Sequence, residues 1–419
     1  MHKSLTTWNL INILVNAQHG FRKSRSCETA LLRLTKILFQ ARKRKQWSCL
    51  VAIDFSKAFD LLDFNLILDA ASCCHFGDLG LKWLHSYLTG RTQQVKYGGS
   101  LSDPLPITHG VPQGSVLGPT LFLIYFNDLL KTLPPDNVIA YADDVSLVCH
   151  GNSSSEANVN MQYLLNNLSV WADNYRLIVN PSKCQAMSIS PSVKNNCTPP
   201  PTLHLSTSTI STPSSVKILG VNITCDLTWD LHSAEVRRKV NNMISVIHRL
   251  SPSLNTDTRR KIYSAFVAPR IDFCLPVWGN SSCSAVTGFN RTLQRAACII
   301  FNSPSTSMDL PSVTAAGIHP FRHLVFIRNV SSIFKMLSNS QCTDYLDALP
   351  ISLPSNTRVT RGTDGKKFRV PQHTRTCDEK CFQYRAVVDW NLLPSSTTAL
   401  SSSTSFFKSV HSYLSSHKL

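Results

Sequence analysis

The segment "NVIAYADDVSLVCH", residues 137–150, places two adjacent aspartates, Asp143 and Asp144, between two runs of apolar and β-branched residues. Two carboxylates side by side in a strand-forming context repel each other, and they lose solvation if they are even partly buried. A divalent cation relieves both costs, and hard carboxylate oxygens are ligands that suit Mg²⁺. An Asp-Asp pair is also common in solvated surface turns, so the pair alone leaves both interpretations open.

A third carboxylate ends another predicted strand. In "VAIDFSKAFD" the apolar run closes with Asp54. A carboxylate at the end of one strand, beside a carboxylate turn on its neighbour, has the geometry needed to hold two metal ions. Such a pair of ions activates an attacking 3′-hydroxyl and stabilises a leaving pyrophosphate. The three aspartates together therefore predict a centre for nucleotidyl transfer.

The elements around these acids follow from apolar periodicity. Residues 138–141 and 145–148 are expected to form the arms of a hairpin, with Asp143 and Asp144 at its turn. A basic helix is predicted over 28–46, with Leu31, Leu34, Ile37 and Leu38 on one face. Strands dominate the middle of the chain and helices its second half, which predicts an α+β core followed by a helical lobe.

Composition points to a polyanionic partner. The chain has 42 Lys and Arg against 25 Asp and Glu, a formal charge of +17, which is typical of nucleic-acid binding. The basic residues concentrate in 22–45 and 358–385, and each cluster could instead be a solvated face. No secretory signal and no membrane-spanning run is apparent, and the 14 cysteines have no disulfide-like spacing, which favours an intracellular setting.

Two groups of possible zinc ligands are incomplete. These are Cys73, Cys74 and His75, and the set His373, Cys377 and Cys381. Neither offers four ligands at the spacing of a zinc finger or knuckle, so structural or incidental cysteines are the better interpretation.

Six motifs follow one another along the chain: "QHGFRKSRSCETALL", "AIDFSKAFD", "GVPQGSVLGPTLFLIYFNDL", "YADD", "NPSKCQAMSIS" and "VKILGV". In order and spacing this series resembles the reverse transcriptases of non-LTR (LINE-type) retrotransposons, of the jockey and chicken-repeat type. The resemblance is strong over about residues 17–225. It extends more weakly to "YRAVVDWNLLP" and "FFKSVHSYL" near the end.

The resemblance implies a right-handed polymerase: reduced fingers, a palm with an antiparallel sheet and a helical thumb. It implies partial fingers over 1–50, a palm with a fingers insertion over 51–225, a thumb over 226–301 and a C-terminal region of unassigned role over 302–419. In this family the metal ligands are Asp54, Asp143, Asp144 and the carbonyl of Phe55, which hold two Mg²⁺ ions, with Mn²⁺ as a substitute.

Further site residues are implied by the same resemblance. Phe59 lies where the family keeps a bulky residue under the incoming sugar, and Gln113 and Gly114 match the loop that contacts nucleotide and template. Arg22 corresponds to a fingers residue that grips the triphosphate, and Lys183 to the lysine proposed to protonate pyrophosphate. For each of them an ordinary core, loop or surface role is the alternative. Asp60 and Asp63 are expected to make structural hydrogen bonds.

The primer grip and thumb complete the implied machinery. Leu219 and Gly220 resemble the primer-grip hairpin. The basic stretches 237–239 and 259–261 would contact the backbone of a duplex without reading its sequence.

The sequence departs from complete elements at its start. It begins only about seventeen residues before "GFR", so the endonuclease and the early fingers strands of complete elements are expected to be missing. A truncated, catalytically inactive relic that binds nucleic acid is therefore a competing hypothesis. An RNA-dependent RNA polymerase or a group II intron maturase is a third.

The expected partners are an RNA template, a DNA primer or target and deoxynucleoside triphosphates, with no membrane and no organic cofactor. Nuclear action is implied by how such elements integrate, and a cytoplasmic ribonucleoprotein is the alternative. The basic run "RKRK" at 42–45 is the one candidate import signal.

Overall fold

The computed structural model describes residues 13–192, 200–303, 317–338, 367–370 and 381–416. The chain divides into two compact units. The first comprises Met1–Ala30 and Arg44–Val216, and the second comprises Leu31–Lys43 and Lys217–Leu419. Helix α1, Cys27–Lys43, begins in the first unit and continues into the second. Helices and strands are numbered in chain order over the described residues.

A four-stranded antiparallel sheet is the centre of the first unit. Its strands are β1 (Trp47–Ile53), β7 (Val138–Tyr141), β8 (Asp144–Gly151) and β10 (Gln185–Ile189), in the order β10-β1-β8-β7. The run "WSCLVAI" of β1 is apolar apart from Ser48, as expected of a central strand with most residues of both faces buried.

Four helices pack in the first unit. They are α2 (Phe64–Cys73), α3 (Asp78–Leu88), α4 (Gly118–Thr132) and α5 (Ser154–Asn174). Helix α4 is apolar on nearly all sides and is buried in the core, and Pro119 lies in its first turn, where a missing N–H costs nothing. Helix α5 begins at a capping box, in which Ser153 accepts from the Glu156 N–H and Glu156 accepts from the Asn152 N–H.

Short two-residue strands form the remaining pairings of this unit. Strand β2 (Phe55–Ser56) pairs with β9 (Ile178–Val179), β3 (Thr92–Gln93) with β6 (Leu105–Pro106), β4 (Lys96–Tyr97) with β5 (Ser100–Leu101), and β11 (His204–Leu205) with β12 (Ser208–Thr209). The pairs β3–β6 and β4–β5 are exposed and follow α3 in the chain.

The second unit is mostly helical. After the hairpin of β13 (Ser215–Ile218) and β14 (Val221–Thr224), whose first strand contains the unit boundary, the described helices are α6 (Asp230–Leu250), α7 (Thr256–Phe266), α8 (Ala268–Asp272), α9 (Leu275–Trp278), α10 (Cys283–Phe301), α11 (Phe321–Ser338), α12 (Phe382–Leu392), α13 (Ser395–Thr398) and α14 (Ser403–Ser416). Leu31, Leu34 and Leu38 of α1 are buried, as their helical spacing predicts, and Ile37 is partly exposed.

The α+β class predicted from the sequence is confirmed, with strands before residue 225 and helices after it. No helix of the described residues is both long enough and apolar enough to cross a membrane. Much of the basic stretch 358–385, and with it His373 and Cys377, lies outside the described residues.

Candidate active site

The hairpin β7–β8 presents the paired aspartates. Tyr141 pairs with Asp144, so the turn consists of Ala142 and Asp143 alone. Ala142 adopts a left-handed conformation with φ of 55°. The prediction that both acids lie at the turn is therefore corrected: Asp143 lies in it, and Asp144 is the first residue of β8. A two-residue turn leaves no room for a second acid between the last paired residues.

Asp54 reaches the same end of the sheet from β1. Ile53 pairs with Val145 in the antiparallel ladder of β1 and β8. Asp54 directly follows Ile53 and Asp144 directly precedes Val145, so the two acids lie at the same end of the sheet. The sheet thus brings together the three acids named from the sequence.

The charges of these acids act on one another. Burial raises the pKa of Asp143, and the negative charge of Asp54 raises it further, against the lowering effect of a main-chain hydrogen bond. The pKa of Asp144 is also raised. The main cause is partial desolvation of its carboxyl, although the residue is largely exposed, and the negative charges of Asp143 and Asp54 raise the pKa further. The site therefore gathers three carboxylates, and among the described residues no ion pair involves Asp143 or Asp144.

Asp54 lies against the loop that carries Lys183. The Lys183 ammonium is 3.7 Å from Asp54 Oδ2. Main-chain contacts hold this loop in place: the Asn180 N–H donates to the Asp54 carbonyl at 2.8 Å, and the Asp54 N–H donates to the Cys184 thiol at 3.4 Å. Lys183 is thus next to the acids, with its side chain two-thirds exposed.

The donor chemistry at this site suits a hard divalent cation. Asp54 Oδ2 accepts no hydrogen bond among the described residues, and the ammonium of Lys183 is its cationic partner at 3.7 Å. No set of three or more His, Cys, Asp or Glu side chains in the described residues is arranged to hold a metal ion as it stands. The carboxylates of Asp54, Asp143 and Asp144 fit Mg²⁺ by the type of their donor atoms.

The side chain of Gln18 supports the β7–β8 turn through hydrogen bonds, a role that was not predicted from the sequence. Its buried amide accepts from the N–H groups of Ala142 and Gly20, each at 2.8 Å, and donates to the Ala142 carbonyl at 3.2 Å. The same segment runs beside β7, where the His19 N–H donates to the Ala140 carbonyl. A Cβ on Gly20 would lie 2.3 Å from the Ala142 nitrogen, so a glycine is required there. This glycine, inside the quoted "QHGFR", was the signal available in the sequence.

Two of the predicted nucleotide contacts lie in an aromatic cluster. Phe59 is half-buried, with its ring stacked on Phe122 at 4.1 Å between centroids and in edge contact with Phe21 at 6.1 Å. The ring of Phe55 is buried and meets Phe126 edge-on at 5.3 Å. The cluster supports the strand end that carries Asp54.

The predicted template loop lies beside Asp60. Gln113 is exposed and donates to Asp60 Oδ1 at 2.8 Å, and Gly114 has a φ of 77°, a turn conformation that favours glycine. Asp63 accepts from two N–H groups at the start of α2 and forms an ion pair with Arg176. The structural hydrogen bonds expected of Asp60 and Asp63 are confirmed.

Arg22 is engaged with its own loop. Its Nη1 donates to the carbonyls of Val15 and Gln18 at 2.7 and 3.3 Å. Arg25 similarly donates to the Asn16 carbonyl. These contacts hold the segment that carries Gln18, a role that the sequence did not suggest for Arg22.

The primer-grip candidates belong to the second unit. Leu219 and Gly220 both have positive φ, 46° and 84°, and form the two-residue turn between β13 and β14. A Cβ on Gly220 would lie 3.2 Å from the ring of Phe273.

One expectation for the thumb is wrong. Arg259 is buried, and its Nη1 donates to the Ile299 carbonyl at 2.7 Å, so it secures the end of α10 and does not face a ligand. Arg238, Lys239, Arg260 and Lys261 are exposed. Lys239 forms an ion pair with Glu235 at 2.6 Å, and Arg260 and Lys261 pair with Asp257 at 3.7 and 2.7 Å. Burial and a local carbonyl partner, which the sequence does not display, decide between these roles.

The end of the sheet thus carries three acids, one directly after β1 and two at the β7–β8 hairpin. A family model described as reverse transcriptase (RNA-dependent DNA polymerase) matches residues 1–223, more than half of the chain. The chain therefore belongs to the reverse transcriptase family, and the right-handed polymerase class expected from the sequence is confirmed.

Its relatives include proteins of non-LTR retrotransposons. The chain is 30% identical over 295 residues to the probable RNA-directed DNA polymerase from transposon BS of Drosophila melanogaster. It is 28% identical over 290 residues to the RNA-directed DNA polymerase from mobile element jockey of the same organism. Each match covers 67% of this chain and 31% of the relative, so the chain spans about a third of the length of these relatives.

Among solved structures, the chain is similar to telomerases of Candida. For apo telomerase from Candida tropicalis the TM-score is 0.39 at 12% identity, covering 79% of this chain and 57% of that one. For the telomerase of the same organism in complex with a fragment of telomeric RNA the TM-score is 0.40 at 12% identity, covering 82% and 54%.

Proposed function

We propose that this chain is the catalytic part of an RNA-directed DNA polymerase that adds deoxynucleotides to a primer 3′ end on an RNA template. The observation that carries the proposal is the register of β1 against β8, which brings Asp54 to the end of the sheet that carries Asp143 and Asp144. The raised pKa of both tandem acids, to which the charge of Asp54 contributes, supports a cation site there.

Asp54, Asp143, Asp144 and the Phe55 carbonyl would hold the cations. When bound, two Mg²⁺ ions, or Mn²⁺ in their place, would activate the 3′-hydroxyl and neutralise charge on the departing pyrophosphate. The chain's own contribution is positioning: strands β1 and β8 fix the acids, and no covalent intermediate is required.

The remaining residues are proposed to act on the nucleotide and the primer. Lys183, close to Asp54, is suited to give a proton to the leaving pyrophosphate. Phe59, stacked on Phe122, would exclude a ribose 2′-hydroxyl, and Gln113 and Gly114 would border the nucleotide. Arg22 would contribute positive charge near the triphosphate. Leu219 and Gly220 would support the primer end.

Primer extension on poly(rA)/oligo(dT) with Mg²⁺ tests the proposal. We expect incorporation of dTTP by the full chain and its loss in Asp143→Asn, because an amide is a weaker ligand and carries no charge. Asp136→Asn, an exposed acid just before β7, is the matched control and should retain activity. Equal incorporation by wild type and Asp143→Asn would refute the assignment.

The same assay addresses the competing hypotheses. A chain that binds the primer–template without extending it would fit the non-catalytic relic. A preference for ribonucleotides would favour an RNA-dependent RNA polymerase, whereas the proposal expects deoxynucleotide preference that is relaxed by Phe59→Ala.

A further inference from the structure

Helix α3 presents a ladder of flat side chains on its outer face. The ring of Trp83 lies parallel to that of Tyr87, with 5.6 Å between centroids and 10° between planes. Arg91 continues the series at the same four-residue spacing, and its guanidinium carbon lies 5.9 Å from the Tyr87 centroid. The opposite face of the helix is anchored in the core by Leu84 and Leu88.

On this face the Trp83 ring is open to solvent, whereas Tyr87 is partly buried and packs against the core. The Trp83 residue is 55% exposed, although burying an indole ring is strongly favourable. Aromatic rings held parallel on a rigid helix, with a guanidinium at one end, offer planar faces for stacking.

Arg91 also lines a groove of about 760 Å³. The lining of this groove includes Gln93, and it includes Lys57, Asp60 and Gln113 from the segments that follow Asp54 and precede α4. Lys57 follows Asp54 by three residues, and Gln113 belongs to the loop proposed to border the nucleotide. The only acid in the lining, Asp60, already accepts a hydrogen bond from Gln113.

We propose that Trp83, Tyr87 and Arg91 form a docking surface for single-stranded nucleic acid, namely the unpaired part of the template that lies outside the active site. This proposal rests on the proposed function. Bases would stack on the two rings, and phosphates would lie near Arg91 and Lys57. Stacking and charge neutralisation hold strands of any sequence, as a template-copying enzyme requires.

Binding measurements on the full chain test this surface without catalysis. Fluorescence anisotropy compares a labelled primer–template that has a ten-nucleotide 5′ template overhang with the same duplex lacking it. Wild type is expected to bind the overhang form more tightly. Trp83→Ala/Tyr87→Ala should lose about tenfold of affinity for the overhang form, the size of effect found for base stacking on aromatic side chains, and nothing for the blunt duplex.

Two comparisons make the test specific. Tyr163→Ala, which removes an exposed ring from α5, should leave both affinities unchanged. An overhang of abasic nucleotides should bind wild type and the double variant equally, because only phosphates remain to be recognised.

Several results would overturn the proposal. One is equal affinity of wild type for overhang and blunt duplexes, and another is an equal loss in the Tyr163 variant. A third is retained overhang binding in the double variant together with a change from dimer to monomer in light scattering, which would make the face a contact between copies of the chain. The binding mixtures contain neither nucleoside triphosphate nor metal ion, so these outcomes do not depend on whether the chain polymerises.

Discussion

At the scale of single residues, the position of Asp143 depends on Gln18, whose side chain comes from about 125 positions earlier in the sequence. The amide of Gln18 pairs with both main-chain groups of Ala142, whose left-handed conformation aims the turn. The Ala142 N–H, the Ala142 carbonyl and the Gly20 N–H are all buried and all hydrogen-bonded to the Gln18 amide. Hydrogen bonding of these three main-chain groups therefore depends on one side chain.

We predict that Gln18→Leu lowers the rate of nucleotide addition at saturating substrate at least about tenfold, with little change in the KM for the nucleotide. An apolar side chain of similar size leaves the turn without partners, a cost of about 1–3 kcal/mol for each buried group. Steady-state primer extension with varied dTTP separates the two constants.

Gln162 provides a matched control for this substitution. It makes the same pair of amide bonds to the main chain of His204, donating and accepting at 2.9 Å, away from the acids. If Gln162→Leu lowers the maximal rate as much as Gln18→Leu, general destabilisation explains both and the positioning role of Gln18 fails.

At the scale of elements, the hairpin β13–β14 is fastened to helix α6 through Glu235. Its carboxylate accepts from the Asn222 amide at 2.5 Å, and Lys239 and Lys217 lie within 2.6 and 3.5 Å. Hydrogen bonds from Lys239 and Asn222 lower the pKa of Glu235 to about 2, with smaller contributions from the charges of the two lysines.

The lowered pKa predicts how this fastening depends on pH. Since the folded-state pKa lies below the unfolded value of about 4.3, the stabilisation is fully present above that value and is lost as pH falls towards 2. Glu235→Gln should reduce the free energy of unfolding by about 1 kcal/mol at pH 7, a figure discounted because the ion pairs are partly exposed. Urea titrations at several pH values measure the difference.

The exposed Asp173, on α5, supplies the comparison for that experiment. Asp173→Asn should change stability little at either pH. A Glu235→Gln effect that persists unchanged at pH 2.5 would show that packing, rather than the charge of Glu235, fastens the hairpin.

At the scale of the whole molecule, the charge of +17 predicts salt-sensitive binding to nucleic acid. Exposed and buried arginines should contribute differently. Arg238→Ala should lower the slope of log affinity against log salt by about 0.9 without changing the melting temperature, as expected for one phosphate contact.

Arg259→Ala is predicted to have the opposite signature. Because this side chain is buried and bonded to the Ile299 carbonyl, its loss should lower the melting temperature and leave the salt slope unchanged. Titrations of a labelled duplex at several salt concentrations, with a thermal melt of each variant, measure both quantities. If Arg259→Ala lowers the salt slope and leaves the melting temperature unchanged, Arg259 contacts the nucleic acid and the buried role assigned to it is wrong.

The sequence alone determined the strands, the helices and the three acids. Apolar periodicity depends on chain neighbours, so β1, α4 and α5 could be read directly, and the series of six motifs indicated the family. Tertiary structure decided which residues became partners. Gln18 meets Ala142, Arg259 turns inward to Ile299, and Lys183 comes next to Asp54 only because distant segments pack together. Burial and hydrogen-bond partners arise from three-dimensional distances, and no local pattern encodes those distances.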